Sequence, residues 1–298
     1  MTLKSYKPTV AKYNATILKG ISGATINGGT QLHEFFGDLD RHHVAALQSV
    51  MTASLSTTDL KGILDITGFD TSLLTGTNKL TLYWREQVHG GTFTGGGSDI
   101  SAAMQDGLIS IQSVSCSHGQ VATASVSVQP TWDGTNVPIT LSKTATAPSE
   151  VVENYAYTIS AMKFGSTGSS TIPLESININ FGPQVETLGG DGEQYPSLAV
   201  LSGRQPSISV TTRDLSEAFD WGLEGTYDGT DDIIFYFARL EPGASQYADG
   251  SSQHIKVTCK AHFMMPDGIG ENSTTINILP IWDGTNAIFT LATASTIT

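Results

Sequence analysis

The residues best suited to chemistry sit in two nearly identical phrases, PTWDGTN at Pro130–Asn136 and PIWDGTN at Pro280–Asn286. The chain of 298 residues holds only four Trp, and two of them are Trp132 and Trp282 in these phrases. A Trp beside an Asp is the chemistry of a sugar site: the indole face stacks on a pyranose ring and the carboxylate accepts from its hydroxyls. One pair in each half would make a bivalent glycan-binding or adhesion protein. The same residues have a plainer use. Asp-Gly tolerates the backbone angles of a tight turn, so Trp132-Asp133-Gly134 and Trp282-Asp283-Gly284 read as a strand end and the turn of a closing hairpin. The turn is the favoured reading, because Asp-Gly is so common a hairpin signal.

Other candidates are weaker. His42 and His43 are adjacent, so on a strand they face opposite sides, and no third ligand stands at metal spacing. The Gly-rich run GTFTGGGSD, Gly91–Asp99, lacks the Lys-Ser/Thr of a phosphate loop and reads as a surface loop. There is no Gly-x-Ser-x-Gly elbow and no defensible Cys/His nucleophile pair. Cys116 and Cys259 lie one in each half without a second Cys at short spacing. They read as half-buried free thiols in strands, neither a disulfide scaffold nor a metal site. The expectation is a protein with no catalysis, no cofactor and no metal.

Composition bounds the partners. Lys+Arg number 15 against 28 Asp+Glu, a net charge of −13. Residues 1–149 carry 9 basic and 10 acidic side chains, and residues 150–298 carry 6 and 18. Such a chain does not bind DNA by counterion release, which needs clustered Lys and Arg. Gly reaches 31 and charged residues only 14%, the composition of a turn-rich β protein. No apolar run approaches the ~18 residues of a membrane span, and MTLKSYKPTV shows no secretory signal.

The elements that must carry these residues repeat. The phrase recurs 150 residues on, and other pairs line up in the same order. SLSTTDL at Ser54–Leu60 meets SISVTTRDL at Ser207–Leu215, LTLYW at Leu80–Trp84 meets IIFYF at Ile233–Phe237, and QDG ending at Gly107 meets ADG ending at Gly250. The last spacing brings Cys116 onto Cys259. An ordered set of this kind signals two homologous domains, 1–148 and 149–298, with Thr144–Asn154 as linker. Each reads as a mainly β, sandwich or barrel-like unit with one short helix. Opening strands are expected at Asn14–Ile21 and Asn154–Phe164. Second strands follow at Thr30–Phe36 and at Leu174–Phe181, where Ile177, Ile179 and Phe181 share a face. A helix begins at Asp59-Leu60, and its counterpart at Asp214 has capping-box spacing to Glu217. HIKVTCKAHF reads as one strand near the end. Between strands two and three the first copy has a short connection around Gly37–Val50. The second has a long loop, Gly182–Pro206, with Leu188, Tyr195, Pro196, Leu198, Val200 and Leu201 as candidate contact residues.

The order of strand, strand, long loop, strand ending in TT, short helix and further strands resembles the tail tube proteins of long-tailed bacteriophages. Leu174–Trp221 carries the resemblance best. It implies a structural virion protein of the fused two-domain type, assembled in the host cytoplasm. Three chains would form a pseudo-sixfold ring, and rings would stack, beside other tail proteins, into a tube through which DNA passes unbound. It also gives the acidity a role, since a carboxylate-lined lumen repels phosphates. Glu175, Glu186, Asp191 and Glu193 flank the second strand and its loop and are the candidate lumen acids.

Overall fold

The computed structural model describes residues 4–37, 40–69, 71–88, 92–94, 97–149, 156–164, 170–190, 192–214, 225–228, 232–240, 247–269 and 272–297. In the first half the strands are β1 (Ser5–Tyr13), β2 (Thr16–Leu18), β3 (Ile21–Gly37), β4 (Asp40–Thr57), β5 (Thr71–Leu74), β6 (Leu80–Gln87), β7 (Asp99–Met104), β8 (Gly107–Ser117), β9 (Thr123–Pro130) and β10 (Thr140–Ala145), with helix α1 (Leu60–Thr67) after β4. The second half contributes β11 (Ala156–Phe164), β12 (Ser170–Asn180), β13 (Pro183–Leu188), β14 (Leu198–Arg204), β15 (Ser207–Thr212), β16 (Thr226–Asp228), β17 (Ile233–Leu240), β18 (His254–Cys259), β19 (Ala261–Ile269), β20 (Thr274–Ile281) and β21 (Phe289–Ser295). The molecule is mainly β, and among the described residues all strand pairs are antiparallel.

Sequence alternation explains the strands. TASVSVQP in β9, SISVTT in β15 and TTINILPI in β20 place an apolar residue at every second position, and the buried positions follow that period. Each half has an outer sheet, ordered β10-β7-β6-β1 in the first and β21-β18-β17-β11 in the second. Each also has an inner sheet, β3-β4-β9-β8 and β12-β15-β20-β19. Short strands β5 and β16 border β8 and β19. β12 belongs to both layers: Ser170–Pro173 pair with β11, and from Leu174 on, with a bulge at Leu174/Ser176, the same strand pairs with β15.

Buried side chains from both halves form one contiguous cluster. Phe69 from the first half stacks on Phe181 at 5.0 Å, and Phe289 closes the group at 5.5 Å from Phe69 and 5.4 Å from Phe181. α1 lies against this core through Leu60, Ile63 and Leu64. Its cap is Asp59, whose carboxylate accepts from the Gly62 N–H at 3.0 Å. A Cβ at Gly62 would sit 2.6 Å from that carboxylate, which is why glycine interrupts the helical pattern there.

Several expectations need correction. β1 precedes the expected opening strand, which breaks at a turn whose Asn14 has φ 52°. The short connection around Gly37–Val50 is mostly strand, because β3 and β4 pair from Ile21↔Thr57 to Gly37↔Asp40, with bulges at Ile21/Gly23, Gln31/Leu32 and Phe35/Phe36. The long loop contains the β13–β14 hairpin. HIKVTCKAHF is two strands in different sheets, divided at Lys260. The match of Cys116 to Cys259 therefore slips by one strand: Cys116 is on β8, whereas Cys259 ends β18 and faces Ile233 as Met104 of β7 faces Leu80. The second helix, from Leu215 to Leu223, lies outside the described residues.

Because the core is continuous, the chain should unfold in one cooperative calorimetric transition. Phe181→Ala should destabilise it by about 3–5 kcal/mol while keeping that single transition, measured by urea denaturation beside calorimetry.

Candidate functional site

The two phrases have the same local geometry. Asp133 Oδ1 accepts from the Thr135 N–H at 2.8 Å and the Asn136 N–H at 2.6 Å, and Oδ2 accepts from Asn136 Nδ2 at 2.8 Å. Asp283 repeats this with Thr285 at 2.8 Å, Asn286 at 2.7 Å and Asn286 Nδ2 at 2.7 Å. Gly134 and Gly284 hold φ of 90° and 87°. Both oxygens of each carboxylate are engaged inside the turn, so the Asp serves its own loop. The side-chain amide of Asn136, followed by the backbone N–H groups, holds Asp133 below its ordinary value, and Asn286 does the same for Asp283.

The phrase is not a closing hairpin. β9 lies between β4 and β8 while β10 pairs with β7, and β20 and β21 are divided in the same way between inner and outer sheets. The turn therefore carries the chain from one layer to the other. The two tryptophans differ in cover. Trp132 is half-buried and its backbone N–H donates to the Pro196 carbonyl at 2.8 Å, whereas Trp282 is 65% exposed.

Pro196 is at the tip of the β13–β14 hairpin, so the candidate contact loop reaches the first half of its own chain. The Ser49 N–H adds a bond to the Gln194 carbonyl at 2.8 Å. Pro196 is buried, and Tyr195, Val200 and Leu201 are half-buried. Leu188 and Leu198, a cross-strand pair, remain about half exposed.

The feature that sequence reasoning missed is the seam between the halves. β8 pairs with β12 from Ser117↔Ser176 to Ser113↔Asn180. Next to it, the His118 N–H donates to the Glu175 carbonyl at 2.6 Å and the Phe181 N–H to the Gln112 carbonyl at 2.9 Å. The two inner sheets thus become one run, β3-β4-β9-β8-β12-β15-β20-β19. Its inward side is apolar, with Leu55, Val126, Val114, Ile177, Val210 and Ile276 buried.

Through its middle, from Ser56 on β4 to Asn277 on β20, the opposite side of this sheet is polar without charge, whereas at the β19 end it carries the exposed Met265, Leu279 and Ile281, and β19 itself contains the exposed Asp267. Across the strands run Ser56↔Ser125, Ser125↔Ser113, Ser115↔Asn178, Asn178↔Ser209 and Ser209↔Asn277. No Lys, Arg, Asp or Glu occurs in β8, β9, β15 or β20, in Thr52–Thr57 of β4 or in Ser176–Asn180 of β12. A solvent face normally carries such residues, so their absence from successive alternating strands was the available signal. The candidate acids lie elsewhere: Glu175 at the β12 bulge, ion-paired with Arg213, Glu186 exposed on β13, and Glu193 accepting from the Gly190 N–H at 2.8 Å. Asp191 lies outside the described residues.

Cys116 and Cys259 are buried free thiols. Burial raises both, and Cys259 is pushed up to about 12. Among the described residues no cluster of metal-ligating side chains occurs, and no helix is long and apolar enough to cross a membrane. No family model and no curated protein matches the chain.

Gly134→Val and Gly284→Val should each cost about 1–2 kcal/mol in urea denaturation, from backbone strain alone, because a Cβ there meets nothing within 4 Å. The Asp133→Ala/Asp283→Ala double variant should have a lower urea midpoint than the parent at neutral pH. The folded-state values of both carboxyls are depressed, so their stabilisation is present above the ordinary 3.8 and lost as pH falls through the folded values. The gap in urea midpoint should close on acidification below that point.

Proposed function

We propose that this chain is the subunit of a bacteriophage tail tube, a structural virion protein whose copies form rings and whose rings stack around a DNA channel. The observation that carries this reading is the β8–β12 seam. It joins two inner sheets of like strand order edge to edge, and the run it makes still ends on two open edges. Among the described residues β3 has only β4 as a neighbour. β19 has β20 on one side and β16 against only its first residues, His262–Met264, on the other. β19 occupies the place in the second half that β8 has in the first, and β3 the place that β12 has in the second. The operation that sets β12 against β8 therefore sets β3 of the next copy against the far end of β19. Repeated, it closes a ring and removes every edge.

Three copies would bring twenty-four inner strands, with a backbone circle ~37 Å across before strand tilt widens it. That leaves room for a DNA duplex. The uncharged polar middle of this face, from β4 to β20, would form the inner wall. Hydroxyls and amides exchange hydrogen bonds with water and offer phosphates no ion pair, so passing DNA releases no counterions and is not held. The acidic residues flank this wall and repel DNA over a Debye length of ~8 Å. Leu188 and Leu198, presented on the β13–β14 hairpin, are the proposed ring-to-ring contact.

Electron microscopy of the purified protein tests the reading: rings or tubes with a central channel are expected. Dispersed monomers with glycan affinity would overturn it in favour of an adhesion protein. In assembled tubes, Ser125→Lys with Asn178→Lys should make DNA ejection slow at low salt and faster as salt rises, whereas the parent shows little salt dependence.

A further inference from the structure

Resting on this ring reading, we propose that the surface around Trp282 is a docking site for the distal β3–β4 hairpin of a second copy of this chain. The surface is apolar and open. Met265, Leu279, Ile281 and Trp282 are exposed by 42%, 49%, 38% and 65%. Leu279 and Ile281 alternate along β20, and Leu279 faces Phe263 across to β19. Four exposed large apolar side chains in one place are more than scattered surface residues need.

The first half shows what covers the matching place. Pro130 and Pro280 open the two phrases, and each pairs with the first part of its neighbouring strand, Gly107 of β8 or His262 of β19. Ser110 therefore corresponds to Met265, Gln129 to Leu279, Thr131 to Ile281 and Trp132 to Trp282. In the first half this place is closed: Ser110 and Thr131 are 2% and 3% exposed. Its cover is the β13–β14 hairpin, which lies against β8 and is pinned by the Trp132 N–H on Pro196 and the Ser49 N–H on Gln194.

The β13–β14 hairpin leaves the inner sheet between β12 and β15. In the first half the chain between the corresponding strand segments, Ile21–Asn27 and Ala53–Thr57, is the long outer part of the β3–β4 hairpin. From Gly28↔Met51 outward its two strands pair only with each other. It is the same kind of arm in the same place. In a ring built by repeating the seam, it reaches the second half of the preceding copy as β13–β14 reaches the first half of its own chain. The occupant follows from that operation. The polarity agrees: a contact made within one folding chain is built over Ser, Thr and Gln, whereas one made between copies uses apolar area, which drives association.

Hydroxyl-radical footprinting by mass spectrometry, on the free chain and on assembled rings, tests this. Docking predicts a several-fold loss of Trp282 oxidation on assembly, with Trp132 nearly unchanged. Replacing residues 31–47 by a two-residue turn should give rings in which Trp282 is oxidised as fast as in the free chain. Trp282→Arg should leave folding by circular dichroism intact and raise the critical concentration for rings about tenfold. Rings in which Trp282 stays as reactive as in the free chain, or an unchanged critical concentration in Trp282→Arg, would overturn the docking site and leave the tube reading standing. Failure of the parent to form rings at any concentration would overturn both.

Discussion

The antiparallel ladder between β8 and β12 is the interaction on which the rest depends. A sheet edge is a row of unmet donors and acceptors, and this chain satisfies one such edge with another from its own second half. The ladder alone would be worth little in water. It persists because Val114 and Cys116 on one strand and Ile177 and Ile179 on the other are buried beneath it. Each buried aliphatic side chain contributes about 1.5–3 kcal/mol, and the Phe69, Phe181 and Phe289 group adds aromatic packing across the same boundary. The seam thereby fixes the orientation of the halves and decides which sheet edges remain open.

That constraint gives the two faces of the inner sheet separate tasks. The buried face holds the molecule together through mainly β-branched residues at alternating positions. The other face carries Ser, Thr, Asn and Gln through its middle instead of the usual surface charges, and turns apolar only at the β19 end, at Met265, Leu279 and Ile281. Small hydroxyls opposite one another make favourable cross-strand pairs without drawing counterions. The candidate acids among the described residues lie off the middle of this face, and two of them, Glu175 and Glu193, have local partners of their own.

The turn after Trp132 and Trp282 illustrates how far local chemistry reaches. Asp-Gly at both places implied a turn with positive φ at the glycine, and Gly134 and Gly284 have it. Asp-Gly between two strands reads as a hairpin because a two-residue turn returns a strand beside its neighbour. Here the Asp carboxylate captures two N–H groups further along and opens a wider loop. The chain then crosses to the other layer, where β7 or β18 has a vacant edge.

The sequence by itself determined the period-two strands, the inward face of β12, the start of α1 at Asp59-Leu60 and the doubled phrase. These depend on residues within a few positions of one another, where side-chain direction and backbone preference act directly. Only the tertiary structure decided that HIKVTCKAHF divides between two sheets, that Gly182–Pro206 folds into a hairpin covering Trp132, and that β8 meets β12. Those outcomes depend on which edges and apolar surfaces remain unsatisfied once neighbouring strands have paired. Residues far apart in the chain, such as Ser117 and Ser176 or Trp132 and Pro196, come together for that reason, and no local pattern of side chains encodes it.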